Sequence, residues 1–155
     1  MYICFVKLEQ AIKSSNFKSE LHKASINLLY TAWWLKTLVS KNLKQIDFTQ
    51  EQFNVMRILK GKHPDKMSVK DIASRMIEQN SNVPRIIDRL EKKSWINRIQ
   101  CPNDGRHTKI GLSPLGISKL AEASTLVEEA TSNVLKLDSN EAGQLNILLE
   151  KMREN

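Results

Sequence analysis

The chain has 155 residues, with 24 Lys and Arg against 17 Asp and Glu, for a formal net charge of +7 at pH 7. A chain of this length buries roughly 70% of its unfolded surface and needs no metal or disulfide staple, and its basic excess suits an acidic partner, either nucleic acid or an anionic membrane. No apolar run approaches the ~18 residues of a membrane span, and the apolar opening up to Val6 is too short for a secretory signal, so the expectation is a cytoplasmic protein in which Cys4 and Cys101 are reduced thiols.

The first strong periodicity runs from about Ser19 to Lys44, where Leu21, Ala24, Leu28, Ala32 and Leu35 form one helical stripe. Tyr30, Trp33 and Trp34 broaden it, which predicts burial on more than one side, as an intertwined dimer requires. Thr49-Gln50-Glu51-Gln52 is a capping box that opens the next helix. Phe53, Met56 and Leu59 are its inward residues, and Gly61 with Pro64 stops it.

Ser68 to Asp71 repeats the capping pattern with the shorter Asp and starts a helix through Met76, with Val69, Ile72, Ala73 and Met76 inward. In the helix after it, Val83, Ile86, Ile87 and Leu90 share one face, while Asn82, Arg85, Arg89 and Lys92 lie opposite. Pro84 is tolerated only in a first turn, so the N-cap is expected at Ser81 or close to it.

Trp95 to Gln100 alternates loosely, Pro102-Asn103-Asp104-Gly105 is rich in turn formers, and Thr108 to Leu112 returns as the second strand of a hairpin. Ser113-Pro114 opens a helix to about Leu135. Asp138 to Glu141 caps a last helix whose apolar side is Ala142, Leu145, Leu148, Leu149 and Met152.

The expected fold is mainly α with a small β-hairpin wing, a winged helix-turn-helix plus a helical dimerisation region. The expected partition is an N-terminal dimerisation helix at 1–45, a DNA-binding lobe at 46–115 and C-terminal dimerisation helices at 116–155. The charge is unevenly spread: residues 1–61 hold nine Lys and Arg against four Asp and Glu. Residues 62–112 hold eleven Lys and Arg against six Asp and Glu, whereas residues 113–155 hold four against seven and are unsuited to phosphate.

A DNA reader needs forked or paired donors near the start of a helix that enters the major groove, and Ser81, Asn82 and Arg85 have the right types there. Arg89, Lys92 and Lys93 further along, Arg75 on the preceding helix and Arg98 on the first wing strand are candidates for phosphate. At the wing tip, Asp104 can pair with Arg106 and aim it outward, which suits a narrow, electronegative minor groove.

The runs Ile72 to Met76, Ser81 to Lys93 and Asp104 to Gly116 resemble the MarR family of bacterial regulators. That family's wing signature, D-x-R and then after five residues L-[ST]-x-x-G, is matched by Asp104, Arg106, Leu112, Ser113 and Gly116. The resemblance implies a homodimer built by terminal helices that binds a palindromic operator, usually as a repressor. It also implies that the recognition-helix residues read bases while Arg106, held by Asp104, enters the minor groove. Ile77 and Ser94 depart from it, each standing where the family often has glycine.

Small aromatic or phenolic ligands bind between the dimer helices and the DNA-binding lobe in that family, which makes Tyr30, Trp33, Trp34 and Phe48 candidates for an effector pocket; ordinary packing is the plainer alternative. Cys4 invites a redox-sensing reading, but no depressed pKa or access is visible from sequence. Cys101 and His107 flank the wing tip, and two ligands do not make a zinc site, so no metal or cofactor is expected. A winged-helix module that binds protein or RNA without reading DNA is the competing function. An enzyme is not expected, because the three histidines and two cysteines are scattered and no Gly-rich phosphate loop is present.

Overall fold

The structure, a computed structural model, describes residues 6–101 and 104–154; for residues 101 and 104–107 it describes the backbone alone. In chain order the elements are α1 (Leu8–Ile12), α2 (Glu20–Lys44), α3 (Gln50–Lys60), β1 (Met67–Ser68), α4 (Val69–Ala73), α5 (Val83–Lys92), β2 (Ile96–Cys101), β3 (Asp104–Leu112), α6 (Pro114–Ser132) and α7 (Ser139–Lys151). The three strands form one antiparallel sheet in the order β1-β3-β2.

Local chemistry sets most of the helix starts. Thr49 Oγ1 accepts from the Gln52 amide at 3.2 Å while Gln52 Oε1 accepts from the Thr49 amide at 3.1 Å, completing the box that opens α3. The shorter Asp71 closes the same box for α4, its Oδ2 accepting from the Ser68 amide at 3.4 Å and from the Ser68 hydroxyl at 2.7 Å. Ser113 caps α6 with Pro114 in the first turn, and Asp138 with Glu141 caps α7. His22 belongs to the start of α2, where its Nδ1 accepts from the Lys18 amide at 3.2 Å.

Several features differ from the sequence reading: α4 ends at Ala73 rather than Met76, and α6 at Ser132 rather than near Leu135. The five-residue α1 was not expected, being too short to display a helical period. The two-residue β1 was not expected either, because its existence depends on pairing Met67 with Ile110 and Ser68 with Lys109, far away in sequence. The returning strand begins at Asp104 rather than Thr108: the hairpin extends through a Cys101–Asp104 pairing past an irregularity between Gln100 and Cys101.

A single buried cluster runs from Leu43 of α2 through Val55, Met56 and Leu59 of α3, Ile72 of α4, and Val83, Ile87 and Leu90 of α5 to Ile96 and Ile110 of the sheet. It continues into Leu120 and Ala123 of α6, so the winged lobe and the helices flanking it share one core. Each fully buried Leu or Ile contributes roughly 1.5–3 kcal/mol, enough to hold α5 against α3 in one orientation. The long helices contrast with this lobe. Among the 25 residues of α2 Leu43 alone is fully buried, and α7 buries none of its residues within the chain.

Candidate nucleic-acid interface

Helix α5 is the second helix of the helix-turn-helix, and its N-cap is Asn82, one residue beyond Ser81. Asn82 Oδ1 accepts from the Arg85 amide at 3.2 Å. An adenine fork needs both ends of an Asn amide, so Asn82 can read a base only by sharing or releasing its cap. Ser81 is partly buried, and its hydroxyl finds no hydrogen-bond partner among the described residues. It sits at the edge of a recess of about 340 Å³ between the start of α3 and α5, together with Arg85 and Arg89.

The exposed side of α5 carries Arg85, Asp88, Arg89, Glu91 and Lys92. Its two carboxylates are both engaged. Arg98 of β2 donates from Nη2 to Asp88 Oδ1 and lies with Nε 2.8 Å from Glu91 Oε2. Arg85, Arg89 and Lys92, like Arg75 just past α4, are exposed and make no ion pair among the described residues. The face therefore presents three cations whose acidic neighbours already have a partner. Arg98, a phosphate candidate from sequence, is held against α5 by both of those carboxylates.

Both ends of the recognition element are tied to the α2 side of the molecule. Lys36 of α2 pairs with Glu78 in the turn before α5, and Gln50 Nε2 donates to the Lys36 carbonyl at 2.7 Å. At the other end, Lys93 Nζ lies 2.8 Å from Asp47 Oδ2 and 4.4 Å from the Trp95 ring centroid. Exposed pairs of this kind contribute about 0–1 kcal/mol each, so they orient the helix more than they stabilise it.

The two departures from glycine have different consequences. Ile77 is 85% exposed in the turn between α4 and α5, and it does not adopt a positive φ, so the turn does not require glycine there. Ser94, just past α5, does adopt the left-handed conformation with φ 59°.

The four aromatics expected to line a shared effector pocket are not brought together. Phe48 is buried in the lobe core, stacked on Trp95 with ring centroids 4.3 Å apart. Tyr30 and Trp33 tilt against each other on α2 at 5.7 Å, and Trp33 is 60% exposed. Asp47, in a left-handed conformation, ends the path of α2, and Phe48 beyond it packs with Leu43 in the lobe core, away from Tyr30 and Trp33 further up the helix. A cleft of about 630 Å³ does lie between α2, α3 and α5, but of the four aromatics only Phe48 reaches it, beside Lys36, Lys44, Arg89, Lys92 and Lys93.

The side chains of Cys4, Cys101, Asp104, Arg106 and His107 lie outside the described residues, and with them the redox, metal and Asp104–Arg106 pairing readings. Among the described residues no group of three His, Cys, Asp or Glu side chains is placed to hold a metal ion. No described helix is long and apolar enough to cross a membrane.

Comparison with known proteins gives one consistent picture. The MarR family model matches residues 48–108, from the start of α3 into β3. The fold is similar to that of a MarR-like transcription regulator from Bacillus cereus, with a TM-score of 0.74 and 22% identity over 86% of this chain and 96% of that one. It is also similar to MepR of S. aureus in complex with DNA, with a TM-score of 0.73 and 26% identity over 83% of this chain and 94% of that one. A third similar structure is BpsR of Bordetella bronchiseptica, solved to explain how 6-hydroxynicotinic acid regulates its DNA binding, with a TM-score of 0.72 and 22% identity over 85% of this chain and 99% of that one.

Proposed function

We propose that this chain, which carries a MarR family domain at residues 48–108, is a transcriptional regulator that lays α5 in the major groove of operator DNA. The observation that carries the reading is the exposed face of α5, where Arg85, Arg89 and Lys92 stand clear while Asp88 and Glu91 are paired to Arg98. Arg85, next to the helix start with Asn82 and Ser81, is the residue placed to reach base edges. Arg89 and Lys92 further along α5, and Arg75 just past α4, suit phosphate, which supplies affinity that falls with salt. The wing signature alone supports Arg106, positioned by Asp104, in the minor groove.

The regulator acts as a homodimer. Leu21, Leu29 and Trp33 on α2 and Ile147 and Leu148 on α7 are exposed in the single chain, and a partner that covers them would add the apolar burial α7 lacks. A two-fold dimer would present two α5 helices to a palindrome with half-sites about 34–36 Å apart. The DNA complex of the similar MepR supports the DNA reading, and repression by occupying the operator is the role proposed here. The cationic cleft beside Arg89 and Lys92 suits a small anionic effector, in keeping with the 6-hydroxynicotinic acid regulation of BpsR.

Selection of bound duplexes from a random DNA pool at low and moderate salt, with wild type, Arg85→Ala and Arg106→Ala, tests the reading. Enrichment of a palindrome by the wild type, with weakened binding by both variants, supports a dimeric operator reader. Salt-sensitive binding with no enriched sequence would favour a module that meets protein or RNA without reading DNA.

A further inference from the structure

We infer that Arg98 is a positioning residue that masks the two carboxylates of the recognition helix, so that its contribution to DNA affinity comes through α5 and not through a phosphate of its own. The inference rests on the DNA-binding reading above and adds a role within it.

Along β2, residues two apart share a face, so Arg98 lies on the side of Ile96, which is buried in the core. This places its guanidinium over α5, against which β2 packs. Asp88 and Glu91 are three residues apart and neighbours on that helix, and Arg98 takes them with different nitrogens, Nη2 for Asp88 and Nε for Glu91 at 2.8 Å. A planar fork holds two carboxylates in fixed directions, whereas the rotatable donors of an ammonium would not set them.

The consequence is electrostatic. Of the five exposed charged residues of α5, Asp88 and Glu91 are like-charged with a DNA backbone and sit among the cations meant to approach it. Bare, they would lower the potential of the face that Arg85, Arg89 and Lys92 raise. Paired with Arg98, they also tie the first wing strand to the recognition helix, so the two DNA-facing elements move as one piece. Arg98 turns its Nε–Nη2 edge toward α5, so the donors that would fork a phosphate are taken by Asp88 and Glu91.

Titrations of wild type, Arg98→Gln, and the triple variant Arg98→Gln, Asp88→Asn, Glu91→Gln against one duplex over a range of salt test this role. Gln keeps most of the side-chain stem, and matched thermal melts establish that all three proteins are folded. Arg98→Gln is expected to bind roughly three- to tenfold more weakly, from two unmasked charges near the phosphates, with an unchanged salt slope. The triple variant is expected to recover wild-type affinity or better, because no carboxylate remains to mask. If Arg98 held a phosphate, the salt slope would fall by about 0.9 in Arg98→Gln, and the triple variant would stay weak. That result, or undiminished binding by Arg98→Gln, overturns the inference. Failure of the wild type to bind any duplex is a separate result: it removes the DNA-binding reading itself, and this role with it.

Discussion

A Cβ on Gly116 would sit 1.8 Å from the carbonyl oxygen of Trp95. The approach is this close because the start of α6 is clasped onto the start of the wing. The Ser113 amide donates to that same Trp95 carbonyl at 3.0 Å, its hydroxyl donates to the Ser94 carbonyl at 2.7 Å, and the Gly116 amide donates to the Ser113 hydroxyl at 2.9 Å. The L-[ST]-x-x-G portion of the wing signature is thus a joint between wing and scaffold, with Ser113 as hinge pin and Gly116 as the residue that lets the backbones meet. Gly116→Ala is expected to destabilise the fold by about 3 kcal/mol or more, since the neighbour that must yield is backbone. Denaturant unfolding measures it, and a loss under about 1 kcal/mol would mean the joint can open without harm.

Ser94 is the opposite case. It holds φ 59° immediately past α5, a conformation in which an L side chain is strained and glycine is not. Ser94→Gly keeps the carbonyl that accepts from Ser113 and relieves that strain. The expected result is a gain of about 0.5–1 kcal/mol after the greater freedom of glycine in the unfolded chain is set against it. Thermal melts of the two proteins side by side check the sign.

The box that opens α4 makes a prediction about pH. The Ser68 hydroxyl, and after it the Ser68 amide, hold the Asp71 carboxyl below the ordinary aspartate range, with Arg75 and Lys70 adding to the effect. A depressed carboxylate contributes stability that is fully present above its unfolded value of about 3.9 and is lost as pH falls through the lower folded value. The carboxyl resonance of Asp71 should therefore titrate below that value in the wild type and move up toward it in Ser68→Ala. An unmoved midpoint in the variant would show that the cap is not what lowers it.

Leu148 on α7 is 59% exposed within the chain, and the proposed dimer has to cover that side of the helix. Leu148→Glu is expected to shift sedimentation from dimer to monomer and to remove any rise of melting temperature with protein concentration. Dimers of wild-type strength in this variant would move the interface elsewhere.

The parts of this fold that were legible in the sequence are those decided by neighbours within one turn of helix. The Thr49–Gln52, Ser68–Asp71 and Asp138–Glu141 boxes involve residues three apart, and each side chain and the amide it caps are already close once the helix begins. The core face of α5 was readable for the same reason, because Val83, Ile87 and Leu90 recur at the helical period whatever they pack against. The basic residues of the opposite face followed from that same geometry.

What only the tertiary structure decided are contacts between residues distant in the chain, whose partners no local pattern names. Arg98 looks like any exposed wing cation until the packing of β2 on α5 brings Asp88 and Glu91 to it. Lys36 meets Glu78 across 42 residues, and β1 exists only because Ile110 and Lys109 pass beside it. Phe48 reads as one more aromatic near Trp33 and Trp34, yet beyond the left-handed Asp47 it packs in the lobe core and stacks on Trp95. Local chemistry thus determined where most of the helices begin and which face of α5 is buried, while packing determined which charges on its exposed face are paired.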